Sequence, residues 1–205
     1  MSTPAAATAE KPEAKKNRDI YVGYAGKFDA ASLNERNTKA DKPMASAKLV
    51  VSDNKSVVVS AFTAEGIAAL KEAVASKGEV IIQGYLADAP GYMNLHKVGA
   101  SEYTGELANV RSGVSEGGVA YFDAMLKTEI NGKSISLVAK AFGEVAEGLA
   151  NAKDGDKLSI EGYAMRTPSG SGENAGYRSG IQVTSVTSIE PAAKKEAEAA
   201  DEPSM

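Results

Sequence analysis

Between residues 18 and 190 apolar and polar positions alternate with a period of two, and two stretches of helical spacing interrupt the alternation. In the first half, Ile20, Val22, Tyr24 and Phe28 share one face of a strand expected over 20–28. A second strand is expected over 44–51, and the turn Asp53-Asn54-Lys55 leads into a third, Val57-Val58-Val59-Ser60-Ala61-Phe62. Residues 64–76 read as a helix, Lys77-Gly78 as a turn, and Glu79-Val80-Ile81-Ile82-Gln83-Gly84-Tyr85 as the fourth strand. A fifth is expected near 93–103. In the second half, strands are expected over 106–110, 119–128, 135–142, 157–165 and 180–189, with a helix over 144–151. Asn131-Gly132 marks a hairpin turn, because both residues tolerate positive φ.

The two halves repeat each other. Strand, Ala-Phe, helix, charged turn with glycine, strand, Gly-Tyr occurs once through Ala61-Phe62 and Gly84-Tyr85, and again through Ala141-Phe142 and Gly162-Tyr163. Five strands with a helix between the third and fourth is the oligonucleotide/oligosaccharide-binding (OB) arrangement. The fold class is therefore all-β with short helices: two tandem five-stranded OB-fold barrels with disordered termini. Residues 1–17 form a disordered arm, 18–104 the first barrel, 105–190 the second, and 191–205 an acidic tail. Alternation also sorts inside from outside. Val80, Ile82, Gly84 and Leu86 point inward, as do Leu158, Ile160, Gly162 and Ala164, and Phe122, Ala124 and Leu126. Tyr85, Tyr163, Tyr121, Asp123, Met125 and Lys127 point outward.

Charge complicates a nucleic-acid reading. The 205-residue chain carries −4, of which the last sixteen residues supply −3. A binding surface must then be a local patch, or rely on stacking. Absence of cysteine excludes disulfides and cysteine metal sites, and the single histidine, His96, cannot build a multi-histidine site. No metal, cofactor or catalytic residue is expected: there is no phosphate-binding glycine loop, no dinucleotide fingerprint and no Ser–His–acid set. No apolar run is long enough for a membrane helix, and the N-terminus lacks the basic start and apolar run of a secretory signal, so a cytoplasmic protein is expected, associated with the nucleoid or, if viral, in the host cytoplasm.

Three segments of the second copy carry a family resemblance. Val119-Ala120-Tyr121-Phe122-Asp123 resembles the Val-Ala-Asn-Phe-Ser strand of the bacterial single-stranded DNA-binding proteins. Ala141-Phe142-Gly143-Glu144-Val145-Ala146-Glu147 resembles their Phe-Gly-Lys-x-Ala-Glu step from strand to helix. Asp154-Gly155-Asp156-Lys157-Leu158-Ser159-Ile160-Glu161-Gly162 resembles their Lys-Gly-Ser-x-Val-x-Val-Glu-Gly. The first copy is similar through Ala61-Phe62 and Lys77-Gly78 onward. The resemblance implies sequence-nonspecific binding and protection of single-stranded DNA in replication, recombination or repair, with Phe142, and Phe62 in the first copy, stacked on bases. The alternative for both phenylalanines is a plug at the barrel end under the helix.

Other candidates follow from position. Tyr85, Tyr163 and Tyr121 face outward and suit stacking, β-surface exposure or a subunit contact. Tyr92 and Tyr177 correspond between the copies and lie beside the loop between strands four and five, which in the second copy is glycine-rich from Pro168 to Arg178. Lys127, Lys140, Arg166 and Arg178 are the expected phosphate contacts, with Arg111 near a loop. The end, Asp201-Glu202-Pro203-Ser204-Met205, resembles the family's acidic Ile-Pro-Phe terminus, implying that Asp201, Glu202, Pro203 and Met205 dock on replication or repair proteins; a solubilising tail is the alternative. Single-stranded DNA is the expected partner, with RNA as the other nucleic acid open to it, and the resemblance implies a homodimer, whose two chains supply four barrels like the family's bacterial tetramer. An OB-fold assembly module without nucleic acid is the competing reading.

Overall fold

The computed structural model describes residues 20–130, 132–169 and 176–192. The first barrel comprises β1 (Tyr21–Asn37), β2 (Pro43–Ser52), β3 (Lys55–Ala61), α1 (Ala64–Ala75), β4 (Glu79–Leu86) and β5 (Tyr92–Val98). The second comprises β6 (Ser101–Val114), β7 (Ala120–Ile130), β8 (Lys133–Phe142), α2 (Glu144–Gly148), β9 (Lys157–Ser169) and β10 (Gly176–Glu190). Both sheets close, in the orders β1-β2-β3-β5-β4 and β10-β8-β7-β6-β9. Each closes through one parallel pair, β3 with β5 and β8 with β10; all other pairs are antiparallel.

The expected fifth strand near 93–103 is divided. Gly99, at φ 99°, turns the chain between β5 and β6, so Ser101–Tyr103 belong to the second barrel. The first strand of that barrel is correspondingly longer than the expected 106–110. Apolar side chains of the inward set fill each interior: Val22, Leu49, Val59, Ile82 and Met93 in the first, Leu107, Phe122, Leu126, Leu158, Ile160 and Ile181 in the second. Burying a large aliphatic side chain contributes about 1.5–3 kcal/mol, so these residues are the main support of each barrel.

Glycine permits the closure where strands cross closely. A Cβ on Gly26 would lie 2.3 Å from Val50 O, and one on Gly105 would lie 2.3 Å from Lys127 O. These two glycines are equivalent, since Gly26 pairs with Val80 and Gly105 with Leu158. The caps differ more. In α1, Thr63 accepts from Gly66 N–H, and Leu70, Ala73 and Val74 pack on the core. In α2 only one turn forms after Gly143, at φ 60°, and Leu149 and Ala152 complete the burial.

The barrels meet through β4, β1 and β9. Gln83 sits on the outward side of β4, yet it is fully buried. Its Nε2 donates to Gly99 O at 3.0 Å and to Ser101 Oγ at 2.9 Å, and its Oε1 accepts from Ala164 N–H at 3.1 Å. All its neighbours in this network lie in the linker or the second barrel. Tyr163 packs against Gly23 of β1, where a Cβ would come within 2.9 Å of the tyrosine.

Candidate nucleic-acid interface

The outer face of the second barrel brings residues from five strands into register. Arg111 of β6 opposes Asp123 of β7, which opposes Lys140 of β8, which opposes Gln182 of β10, which opposes Tyr163 of β9. One row further, Gly113, Tyr121 and Phe142 stand opposite one another. Asn109, at φ 55°, bulges β6 between Ala108 and Arg111. Asp154 accepts from Val110 N–H at 2.8 Å and fixes the bulge. The result is a groove of about 520 Å³ lined by Asn109, Arg111, Asp123, Met125, Lys140 and Arg178, among others.

Three cations and one carboxylate line this groove. Lys140 Nζ lies 3.2 Å from Asp123 Oδ2, so one cation is partly neutralised. Being partly exposed, that pair contributes little to stability and holds Lys140 in place. The sequence places Arg111 only near a loop, whereas in the fold it is a strand residue that lines the groove. The signal that reveals it is the strand register, which needs the bulge.

Phe142 is 53% exposed and Phe62 is 47% exposed. Neither ring packs into a barrel core. Tyr121 lies against Gly113, with its hydroxyl 3.1 Å from where a Cβ would stand, and extends the Phe142 surface. A π-face of this kind takes any base.

Several other candidates are placed elsewhere. Tyr163 points out of its own barrel but into the junction with the first; burial, with Glu79 nearby, pushes its hydroxyl pKa up. Tyr85 is exposed but makes edge contacts with Tyr21 at 5.1 Å and His96 at 6.0 Å, away from the groove. Lys127 lies 3.8 Å from Glu106 and outside the groove. Arg166 stacks over Tyr177 at 4.3 Å, on the hairpin of β9 and β10. Tyr92 opposes Val58, the position that Gly180 holds against Val138, so it does not correspond to Tyr177 as the sequence suggests. Asp201, Glu202, Pro203 and Met205, Asn131, and the centre of the glycine-rich loop lie outside the described residues.

Among the described residues no group of three or more His, Cys, Asp or Glu side chains could hold a metal ion, and no helix is long and apolar enough to cross a membrane. No family model matches the chain, and no curated protein matches it. Among solved structures, the chain is similar to a deletion mutant, which also carries a point substitution, of the single-stranded DNA binding protein from Thermus aquaticus. The identity is 13%, over 87% of this chain and 97% of that one, with a TM-score of 0.39. It is likewise similar to the wild-type single-stranded DNA binding protein from Thermus aquaticus, at 14% identity over 87% of this chain and 95% of that one, with a TM-score of 0.37.

Proposed function

We infer that the protein binds single-stranded nucleic acid, without reading its sequence, on the outer face of the second barrel. Bases stack on Phe142 and Tyr121, while Arg111, Lys140 and Arg178 meet phosphates along the adjoining groove. The observation that carries this reading is the alignment of an aromatic row beside a cationic row across paired strands. Aromatic platforms tolerate every base, and cations follow the backbone; together they bind a strand without specifying it. Protection of exposed single-stranded DNA is the role that fits such a surface. Docking of the acidic tail on partner proteins and assembly as a homodimer belong to the same proposal.

Fluorescence anisotropy with a labelled dT oligonucleotide at two salt concentrations tests it. Three phosphate contacts on a single strand give a slope of log affinity against log salt of about −2. Absence of binding at low salt overturns the proposal and leaves the assembly-module reading. Mass measurement in solution checks the dimer.

A further inference from the structure

A second concave surface lies between the barrels, away from the groove. Here the mouth of the second barrel opens against the outer wall of the first, enclosing a cleft of about 740 Å³. Junctions between domains and the mouths of β-barrels are where small-molecule sites concentrate, and this volume is within their usual range. The cleft is well built. Gln83 fixes its back wall by bonding Ser101 and the Ala164 backbone, both of which line it.

Its chemistry is distinct from that of the groove. Tyr21, Tyr85 and His96 form a cluster of rings packed edge to face, with centroids 5.1–6.0 Å apart, on one wall. Leu137 and Ile181 provide an apolar floor from the barrel interior. Glu102 and Glu129 line it as well, and no lysine or arginine does so among the described residues. Lys97 reaches Ser101 Oγ at 3.4 Å but is not part of the lining. An anion is therefore disfavoured, while a planar ring with polar edges is matched by aromatic walls and by carboxylates that accept its N–H groups. Burial, with Tyr103 and Tyr85 nearby, pushes the Tyr21 hydroxyl up to about 12, so it remains a hydrogen-bond donor throughout the neutral range.

We propose that this inter-barrel cleft binds an uncharged nucleobase-like heteroaromatic ring, with Tyr85 and Tyr21 as its aromatic wall and Glu102 and Glu129 excluding phosphate. The ring has two possible sources: a free nucleoside, or a base turned in from a bound strand. The second source rests on the strand-binding function proposed above; the first does not.

The test uses the full chain, with adenosine, thymidine, AMP and a dT oligonucleotide as probes. The chain has no tryptophan, so its emission comes from tyrosine, to which Tyr21, Tyr85 and Tyr103 of the cleft contribute, and the signal change lost in Tyr85→Ala is the part that reports the cleft. Tyr85 is 41% exposed, so Tyr85→Ala leaves both cores intact. For a free ligand, adenosine or thymidine binds, AMP binds at least about tenfold more weakly, and Tyr85→Ala reduces nucleoside binding roughly 5- to 150-fold without changing oligonucleotide affinity. For a strand base, Tyr85→Ala reduces oligonucleotide affinity on its own account, additively with Phe142→Ala. For a free ligand, Glu129→Lys also narrows the preference for nucleoside over AMP. The proposal is overturned if AMP binds the wild-type chain as well as adenosine does. It is also overturned if no nucleoside binds and Tyr85→Ala leaves the oligonucleotide affinity unchanged, even where Phe142→Ala abolishes oligonucleotide binding and so upholds the groove.

Discussion

The two barrels share a lattice and differ in what they display on it. Aligned through Phe62 and Phe142, the row Arg111, Asp123, Lys140, Gln182 of the second barrel corresponds to Asn34, Ser46, Ser60, Asn94 of the first. Every charge in the row is replaced by an uncharged polar group. Tyr121 corresponds to Met44. The inward positions agree: Gly26 with Gly105, Val80 with Leu158, Ile82 with Ile160, Gly84 with Gly162. Closure and core therefore tolerate little divergence, while the outward side of the same strands is free to carry charge or not. The first barrel uses its outer wall differently. It buries Gln83 against its neighbour, where the second barrel has the exposed Glu161; Tyr85 and Tyr163, the next outward pair, both face the junction.

Disrupting the shared lattice has the largest expected effect. Gly26→Ala and Gly105→Ala each drive a Cβ into a carbonyl oxygen and are expected to cost on the order of 3 kcal/mol, alike in both barrels. Chemical denaturation of the two variants checks this; a large cost in only one would break the equivalence. The displayed rows come next. Phe142→Ala is expected to weaken oligonucleotide binding by about 1–3 kcal/mol, and Phe62→Ala to leave it nearly unchanged. Equal losses by anisotropy would show that both barrels bind.

The junction gives a third contrast. Gln83→Leu removes the Gln83 bonds to Gly99 O and Ala164 N–H and leaves Ser101 Oγ with Lys97 alone, and a buried polar group that loses its partner costs about 1–3 kcal/mol. The carboxylate of Glu161, its counterpart, accepts from Ser185 Oγ on an exposed surface, so Glu161→Gln is expected to change stability by less than about 0.5 kcal/mol. Thermal unfolding of both distinguishes a coupling residue from a surface one.

The smallest effect is acid sensitivity confined to the second barrel. Asp156 accepts from Ala192 N–H at 3.0 Å and Lys153 N–H at 2.8 Å, and these bonds hold its carboxyl below the usual carboxylate range. A depressed carboxylate contributes stability above its unfolded pKa of about 3.9, and that contribution is lost as pH falls through the lower folded value. The first barrel has Gly78 at the corresponding place, by the pairing of Val80 with Leu158. Below about pH 4, hydrogen exchange is expected to rise first around residues 152–157, and Asp156→Asn to remove that difference.

Much of the fold was legible because period-two alternation reports which side of a strand meets the core, and burial enforces that pattern residue by residue. Val22, Ile82, Phe122, Leu126, Leu158 and Ile160 are buried as the alternation predicts. The equivalence of Phe142 and Phe62 followed from the repeat; their exposure did not, because the same spacing also suits a plug at the barrel end. The division of strands at Gly99 did not, because so short a turn, Gly99-Ala100, leaves no cluster of turn residues between the two alternating runs.

By itself, then, the sequence determined two strand–helix–strand repeats, their inward faces and the outward aromatics, since these depend on neighbours along the chain. Only the tertiary structure decided which outward faces remain free. Alternation assigns Gln83 and Tyr163 to the outside of their own barrels, correctly, but the outside of one barrel is here covered by the other. It also decided which cations gather: Arg111, Lys140 and Arg178 come from three strands and meet only through cross-strand register and the Asn109 bulge, neither of which is encoded by local spacing.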